Sequence, residues 1–283
     1  MRRSLSLLSV LLLCLLCSGC VQVATLIELN LDGSGKVLIR YLVSKEASKM
    51  SKMFAKNKDP EFPKKMKEFE EAIPSVTPKM GEGVSFVGSQ RFDQAGWVGV
   101  VAEFKFEDAN KLVLPADLAE KAGKKKGEGK DEQSGDILYD SVRFSFTDGD
   151  IKTLSVFLEG KEKDDVVIEN DPFAEAGLEL RKAPATSVFF KPEGFKDALR
   201  GARFTTLVTV KGEVVESDAV VMATDNSAVI FDANFSEIVG DPSFESVIMG
   251  QLSLEQILKK GVSGFVAKPI SEPVTIKFRA AKE

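Results

Sequence analysis

The chain has 283 residues, of which 43% are hydrophobic and 29% charged, an ordinary balance for one large or two small globular domains. Its 38 basic and 43 acidic residues give a formal net charge of −5, which argues against a nucleic-acid-binding protein because such proteins present a basic surface. Histidine is absent from the sequence, which excludes histidine-dependent nucleophile triads and the usual zinc sites.

The first part of the chain has the layout of a secretory signal. Arg2 and Arg3 give a short positive start. Residues 4–16 form a leucine-rich apolar run that is too short to span a bilayer comfortably. Polar and charged residues follow soon afterwards, which disfavours a transmembrane anchor. We therefore predict that residues 1–19 are a cleaved signal peptide.

The end of this signal resembles the bacterial lipobox. Two small residues, Ser18 and Gly19, precede Cys20, and in lipoproteins the peptidase cuts before a cysteine whose thiol carries a diacylglyceryl group. Cys17 stands where leucine is usual, and cysteine can fill that position as a small hydrophobe. The resemblance implies an acylated Cys20 and a lipidated N-terminus over residues 20–22. The alternative is an ordinary secretory signal that is cut near the same place.

Lipidation of Cys20 would decide where the protein works. Cleavage would remove 19 of the 283 residues and leave 264, without Cys14 and Cys17, so that no intrachain disulfide can form. Acyl chains would hold the protein in a membrane, since each buried CH₂ contributes about 0.8 kcal/mol. Val21 and Gln22 follow the cysteine in place of aspartate, which by resemblance to Gram-negative sorting favours the outer membrane, facing the periplasm. In another envelope type the protein would lie at the cell surface.

The first predicted elements are a hairpin and two helices. Residues 23–44 form two alternating strands around Asp32-Gly33-Ser34-Gly35, a turn whose glycines suit positive φ. The apolar period then becomes helical over residues 45–73. Pro60 and Pro63 separate two helices there, and Pro74 is predicted to stop the second.

Hairpins resume after these helices. Strands are predicted over residues 83–92, 97–106 and 140–159. The last of these ranges is the clearest hairpin, because apolar residues alternate on both sides of Asp148-Gly149. Residues 123–135 contain no apolar residue and are predicted to be an exposed loop. Residues 23–160 are thus predicted to be one hairpin and helix region.

The C-terminal part is predicted to be rich in strands. Residues 161–202 hold three prolines and no clear period, which indicates an irregular connection. Strands are predicted over residues 203–210, 213–223, 227–235 and 272–278. Helices are predicted after Asp241-Pro242 and over residues 254–260, the second with a capping box. Residues 203–283 are predicted to belong to the same globular unit as residues 23–160.

The fold class that these elements predict is α+β. An antiparallel, hairpin-rich curved sheet, or a pair of sheets, would carry its helices on one face. The aromatic residues are 20 Phe, 1 Trp and 2 Tyr, and phenylalanine suits a dry interior because it has no polar group. A sugar-binding surface, which favours Trp and Tyr, is therefore a poor interpretation.

Catalytic and metal-binding patterns are missing from the sequence. The turns at Asp32 and Asp148 resemble calcium loops only superficially, since lysine stands at the fifth position and the sixth-position glycine is missing. Asp164 and Asp165 could in principle form an acid and base pair, but neighbouring lysines indicate a solvated loop. We therefore predict no enzymatic activity, no metal and no cofactor.

Methionine and phenylalanine are concentrated in the predicted helices of residues 45–73. The side chains that could line an apolar ligand pocket there are Met50, Met53, Phe54, Met66 and Phe69. Such soft side chains suit an adaptable binding surface, and a lipid acyl chain is the ligand that we expect. The alternative is that this stripe is ordinary hydrophobic core, which every domain of this size needs.

Three stretches resemble a set of bacterial lipoproteins that includes the mycobacterial LppM type. They are the 32–35 turn, FEDANKL at residues 106–112, and VKGEVVESDAVV leading to NSAVIFDANF. Asp218-Ala219 stands where that family has Asn-Ala, and Phe231 stands where it has Trp. The resemblance implies an antiparallel sheet curved over helices, with lipid binding suggested for the domain. It transfers no functional residue to this chain.

The predicted function is a membrane-anchored envelope lipoprotein that binds or shields a hydrophobic ligand without catalysis. Its expected partners are the membrane, through acyl chains on Cys20, and a lipid or an envelope protein, but no nucleic acid. The alternative is a structural or assembly scaffold that contacts another envelope protein through strand edges or a helical face. An enzyme that uses only carboxylates and lysines is the third hypothesis.

Overall fold

The structure is a computed structural model that describes the chain in several ranges. These are residues 21–45, 67, 70–71, 73–94, 96–115, 139–160, 200–248 and 252–281. No helix within these ranges has the length and apolarity that crossing a membrane requires.

Thirteen strands dominate the described residues. They are β1 (Val21–Leu29), β2 (Gly35–Ser44), β3 (Val84–Gln94), β4 (Trp97–Phe106), β5 (Val113–Pro115), β6 (Ser141–Thr147), β7 (Lys152–Glu159), β8 (Arg203–Val210), β9 (Glu213–Ser217), β10 (Val221–Thr224), β11 (Ser227–Asn234), β12 (Phe265–Ala267) and β13 (Val274–Arg279). Three short α-helices are described, α1 (Phe235–Ile238), α2 (Phe244–Ile248) and α3 (Leu254–Lys260), with 3₁₀ helices at Ile73–Lys79 and Ala109–Lys111.

The strands form two sheets, and each sheet joins early and late parts of the chain. The larger sheet has the order β10-β11-β8-β1-β2-β4-β3, with β12 added to β11. The smaller sheet has the order β5-β6-β7-β13-β9. All pairs are antiparallel except β1 and β8, which run parallel with Thr25 opposite Thr206. The buried residues of both sheets form one hydrophobic cluster, so the core lies between the two sheets.

The predicted α+β class is wrong. Strands account for 54% of the described residues, and the described α-helices have only four, five and seven residues. They follow one another between β11 and β12, contact those two strands, and do not form a layer on a sheet face. A second sheet covers the core in place of helices, and the parallel β1–β8 pair makes the larger sheet mixed rather than antiparallel.

The turns predicted from local sequence are present. In the β1–β2 turn, Asp32 accepts a hydrogen bond from the Ser34 amide at 3.0 Å, and Gly33 adopts φ +82°. Helix α3 has the predicted capping box and ends at Gly261 with φ +65°. Residues 70–71 are α-helical, and Pro74 lies in the 3₁₀ helix Ile73–Lys79, so that a different kind of helix follows at the predicted stop. The predicted strand 213–223 is also divided, with β9 in the smaller sheet and β10 in the larger.

The division between β9 and β10 has a clear cause at Asp218. The Asp218 amide donates to the Thr275 carbonyl at 3.1 Å, and its carboxylate accepts from the Thr275 amide at 2.7 Å. Lys268 adds an ion pair to the same carboxylate at 2.9 Å. These contacts end the pairing of β9 with β13 and let the chain cross to β11.

The two ends of the larger sheet are named here after the chain features that lie there. The N-terminal pole is the end of the larger sheet at which Val21, Ser44, Trp97 and Arg203 lie. The turn pole is the opposite end, where the β1–β2 turn lies and where a Cβ on Gly33 would stand 2.7 Å from Phe146. Since β1 has nine residues, the poles are about 30 Å apart.

Candidate functional site

The residues that the sequence singled out lie outside the described part of the chain. This holds for Cys20 and for the predicted pocket residues Met50, Met53, Phe54, Met66 and Phe69. It also holds for Asp164 and Asp165. Their roles therefore stay predictions, and the structure brings forward other residues as candidates.

The predicted lipidation site adjoins the sheet without a spacer. Strand β1 begins at Val21, the residue that follows Cys20 in the sequence. β1 is an interior strand, paired with β2 on one side and β8 on the other. An acyl group on Cys20 would therefore be attached directly to the N-terminal pole of the larger sheet.

A small cavity lies between the two sheets in the half of the core next to this pole. Its volume is about 60 Å³. The larger sheet lines it with Val23, Thr25, Ile39, Phe204, Thr205, Thr206 and Phe231, and the other side with Leu114, Pro115, Tyr139 and Val142. Apolar side chains dominate the lining, while the threonines and the tyrosine supply hydroxyl groups.

Tyr139 is a partly buried polar residue of this lining, and Thr206 is buried. Burial raises the pKa of its phenol above the ordinary value, and a hydrogen bond with Thr206 lowers that pKa in part. The ring packs edge-on against Phe231, with ring centroids 5.0 Å apart. Like an ordinary tyrosine the phenol is neutral at physiological pH, and it can donate or accept a hydrogen bond inside an apolar space.

An ion pair between the exposed Arg203 and the buried Asp232 lies next to the cavity residue Thr205 on the larger sheet. Arg203 donates from Nε and Nη2 to the two carboxylate oxygens of Asp232, at 2.9 and 3.0 Å, and the Thr205 hydroxyl donates to one of them at 2.5 Å. Asp232 is only 7% exposed. The hydrogen bonds that Arg203 donates to Asp232 raise the pKa of the Arg203 guanidinium. Each group of the pair is satisfied, which favours a structural over a catalytic role.

A separate apolar patch lies on the edges of both sheets. Its residues are Val215, Val220, Val221 and Met222, all of which expose more than a third of their surface, with Val220 at 58%. β9 pairs with β13 alone and β10 with β11 alone among the described strands, so each is an edge strand. Exposed apolar edge strands are natural sites for pairing with another chain.

An open groove at the turn pole is polar. Its volume is about 450 Å³, and its lining includes Lys36, Lys105, Lys211, Glu28 and Glu107. Lys36 stands directly opposite Lys105 across β2 and β4 and forms an ion pair with Glu28 at 3.2 Å. Among the described residues no group of three or more acidic, cysteine or histidine side chains is placed to hold a metal ion.

The sequence did not predict the cavity residues, because they do not form a local sequence pattern. Thr25, Tyr139 and Thr206 come from distant parts of the chain, and only the parallel β1–β8 pairing and the stacking of the sheets bring them together. The one usable signal was the alternation of β1 and β8, which places Thr25 and Thr206 on inward-facing positions.

Comparison with known proteins adds one structural likeness. The chain matches no protein-family model and no curated protein. Among solved structures, it is similar to the NMR structure of the folded domain of the Mycobacterium tuberculosis LppM protein, at 11% sequence identity and a TM-score of 0.32. The match covers 94% of this chain and 92% of that one. The resemblance suggested by the sequence is therefore found again, as a weak one that says nothing of activity or ligand.

Proposed function

We propose that the protein is an exported lipoprotein, anchored by acyl chains on Cys20, whose two-sheet domain binds a hydrophobic ligand and catalyses no reaction. The observation that supports this most is the apolar cavity between the sheets, in the half of the core next to the N-terminal pole. The anchor and the cavity would then share one pole, and a membrane lipid could pass from the bilayer to the cavity over a short distance.

The ligand class follows from the lining. Val23, Ile39, Leu114 and Val142 offer an apolar wall, which suits an acyl chain. The hydroxyl groups of Tyr139 and Thr206 suit an ester or hydroxyl oxygen at the head of such a chain. A lipid with at least one acyl chain and an ester group is therefore the ligand that we expect.

Binding requires the cavity to widen. Its volume of about 60 Å³ is well below the ~300–1,000 Å³ of ordinary ligand pockets. Among the described strands β5 is one of the two edge strands of the smaller sheet, has only three residues and carries Leu114 and Pro115 into the cavity wall. Displacement of β5 would separate the sheets with the loss of few hydrogen bonds, so β5 is the element that we expect to move.

The test compares two substitutions on one strand. Thr25 lines the cavity, while Leu26 points to the other face of β1. Thr25→Phe should fill the cavity and lower the lipid that is extracted from the purified full-length protein several-fold, whereas Leu26→Phe should leave it unchanged. Organic extraction and mass spectrometry measure the lipid. Equal lipid in both variants and the wild type, or a wild type without lipid, would contradict the proposal.

The predicted helical stripe is tested separately. Met53→Asp and Met66→Asp place a charge in it. If the stripe lines the ligand site, both variants should fold and lose bound lipid. Loss of the folded state, measured by circular dichroism, would show that the stripe is core.

A second candidate function rests on the exposed apolar patch. We propose, as the alternative, a scaffold that holds an extended segment of another envelope protein against β10 by adding a strand to the sheet edge. Among the described strands β10 pairs on one side only, and this edge supports the proposal together with the exposed Val221 and Met222. The main-chain groups would give the affinity, and the two apolar side chains would give the selectivity.

In-cell cross-linking separates the scaffold from the ligand-binding protein. A scaffold should give one cross-linked partner at stoichiometric yield, lost in Val221→Lys/Met222→Lys because a charged edge resists strand addition. Val87→Lys is the matched control, since Val87 is 49% exposed on β3, the opposite edge strand of the same sheet. A partner that survives the double substitution, or cross-links only between copies of this chain, would contradict the scaffold.

A further inference from the structure

Trp97 is the single tryptophan of the chain, and it lies at the N-terminal pole. It opens β4 and stands opposite Ser44, the last residue of β2. The neighbouring residue Val43 stands opposite Val21, where the described chain begins. Trp97 is therefore two strands away from the start of β1, about 10 Å across the sheet.

A second aromatic side chain lies on the other side of β1. Phe204 belongs to β8, the strand parallel to β1, and stands opposite Val23. It is 39% exposed although it is large and apolar, and its ring packs edge-on against Phe235 at 5.8 Å. Trp97 is partly exposed as well. The start of β1 thus has an aromatic side chain available to solvent on either side.

Two cationic side chains near these aromatics are paired with carboxylates. Lys45 forms an ion pair with Asp93 at 2.5 Å, and Arg203 forms the bidentate ion pair with Asp232 described above. The turn pole differs, because Lys105 and Lys211 have no ion pair among the described contacts there. The N-terminal pole therefore combines tryptophan, phenylalanine and paired charges, the composition that favours the membrane–water interface.

We propose that the N-terminal pole itself rests in the headgroup region of the bilayer, with Trp97 and Phe204 as contact residues. The occupant of this surface is the lipid membrane, because β1 begins immediately after the residue predicted to carry the acyl chains. With no spacer, the anchor holds this pole close to the bilayer. This inference rests on the anchoring part of the proposed function.

Orientation follows from the contact. The N-terminal pole of the larger sheet would face the bilayer, and the turn pole would lie about 30 Å from the headgroups. Two signals would act together, since acyl chains hold the protein near the bilayer and aromatic contacts fix its angle. The cavity between the sheets would then open toward the lipid.

Because Trp97 is the only tryptophan, its fluorescence tests the proposal directly. The full-length lipidated protein is reconstituted into phosphatidylcholine vesicles, with and without lipids brominated on the acyl chain near the headgroup. We expect a blue-shifted Trp97 emission and at least a two-fold loss of intensity with the brominated lipid. Emission that stays at the aqueous position and is quenched as strongly by acrylamide in vesicles as in detergent would overturn the proposal.

A matched variant moves the reporter to the other pole. Trp97→Phe/Ile151→Trp places the tryptophan in the β6–β7 turn, where Ile151 is 50% exposed. This reporter should show no quenching by the brominated lipid. Equal quenching of both reporters would mean that the domain lies flat or tumbles on the membrane, which would also overturn the proposal.

Flotation of the same vesicles separates this inference from the proposed function. A protein that floats with the vesicles but shows an aqueous Trp97 is anchored without pole contact, which contradicts only this inference. A protein that does not float lacks the anchor, and the proposed lipoprotein function fails with it. Trp97→Ser/Phe204→Ser should float like the wild type and lose its orientation, so that an Ile151→Trp reporter in this background becomes quenched by the brominated lipid.

Discussion

At the scale of single residues, Asp241 ties two parts of the helical segment together. Its carboxylate accepts hydrogen bonds from the Ser263 amide at 2.9 Å and the Ser243 amide at 2.8 Å. These bonds lower the pKa of Asp241 below its ordinary value of 3.8, and the bond from Ser263 has the largest effect. The carboxylate therefore links the turn before α2 to the loop before β12.

The lowered pKa of Asp241 predicts an acid-sensitive contribution to stability. Because its pKa is lower in the folded than in the unfolded protein, the ionised Asp241 carboxylate stabilises the folded state above the unfolded pKa near 3.8. This contribution is lost as the pH falls through the folded pKa. Asp241→Asn should be less stable than the wild type at pH 6, and the gap should shrink below pH ~3.5. Urea midpoints at pH 6, 4 and 3 measure this, and a gap that stays constant would contradict it.

We expect substitution by alanine to have different effects on stability at two glycines in neighbouring strands. A Cβ on Gly99 would lie 2.0 Å from the Tyr41 carbonyl oxygen of the adjoining strand, whereas a Cβ on Gly88 would meet nothing within 4 Å. Gly99→Ala should cost about 1–3 kcal/mol, because the backbones of β2 and β4 must separate. Gly88→Ala should stay within about 0.5 kcal/mol of the wild type. Urea unfolding compares them, and equal stabilities would refute the close approach.

At the scale of elements, the crossing between β9 and β10 depends on Asp218. Asp218→Ala removes the carboxylate that accepts from the Thr275 amide and pairs with Lys268. We expect amide protons of Val221–Thr224 to exchange at least ten-fold faster, while β13 stays protected by its pairing with β7. Asp225→Ala, in the β10–β11 turn, is the control. Unchanged exchange in β10 would show that Asp218 does not hold the crossing.

The local elements could be predicted, and the long-range pairings could not. The hairpins β1–β2, β3–β4 and β6–β7 carry their turns and alternation in contiguous sequence, so they were found. The pairing of β1 with β8 leaves no local trace, because any two alternating strands can adjoin. Asp218 likewise looks in the sequence like an ordinary polar residue of an alternating strand, because its partner Thr275 is distant in the chain. The candidate cavity depends on such long-range pairings and was missed for that reason.

At the scale of the whole molecule, both sheets take strands from before residue 160 and after residue 203. One continuous core joins them. We therefore predict that the two sheets unfold together. Urea transitions followed by Trp97 in the larger sheet, and by Trp97→Phe/Phe157→Trp in the smaller one, should coincide within error. Two separated midpoints would mean that the sheets are independent units.

The central claim joins a lipid anchor on Cys20 to a hydrophobic ligand held at the same pole. Mass spectrometry of the intact protein, purified from membranes in mild detergent, tests both parts in one spectrum. The account predicts a chain that begins at Cys20, carries covalent acyl chains, and loses one further lipid mass on gentle activation. An unmodified N-terminus, or an acylated chain that never carries a second lipid, would contradict it.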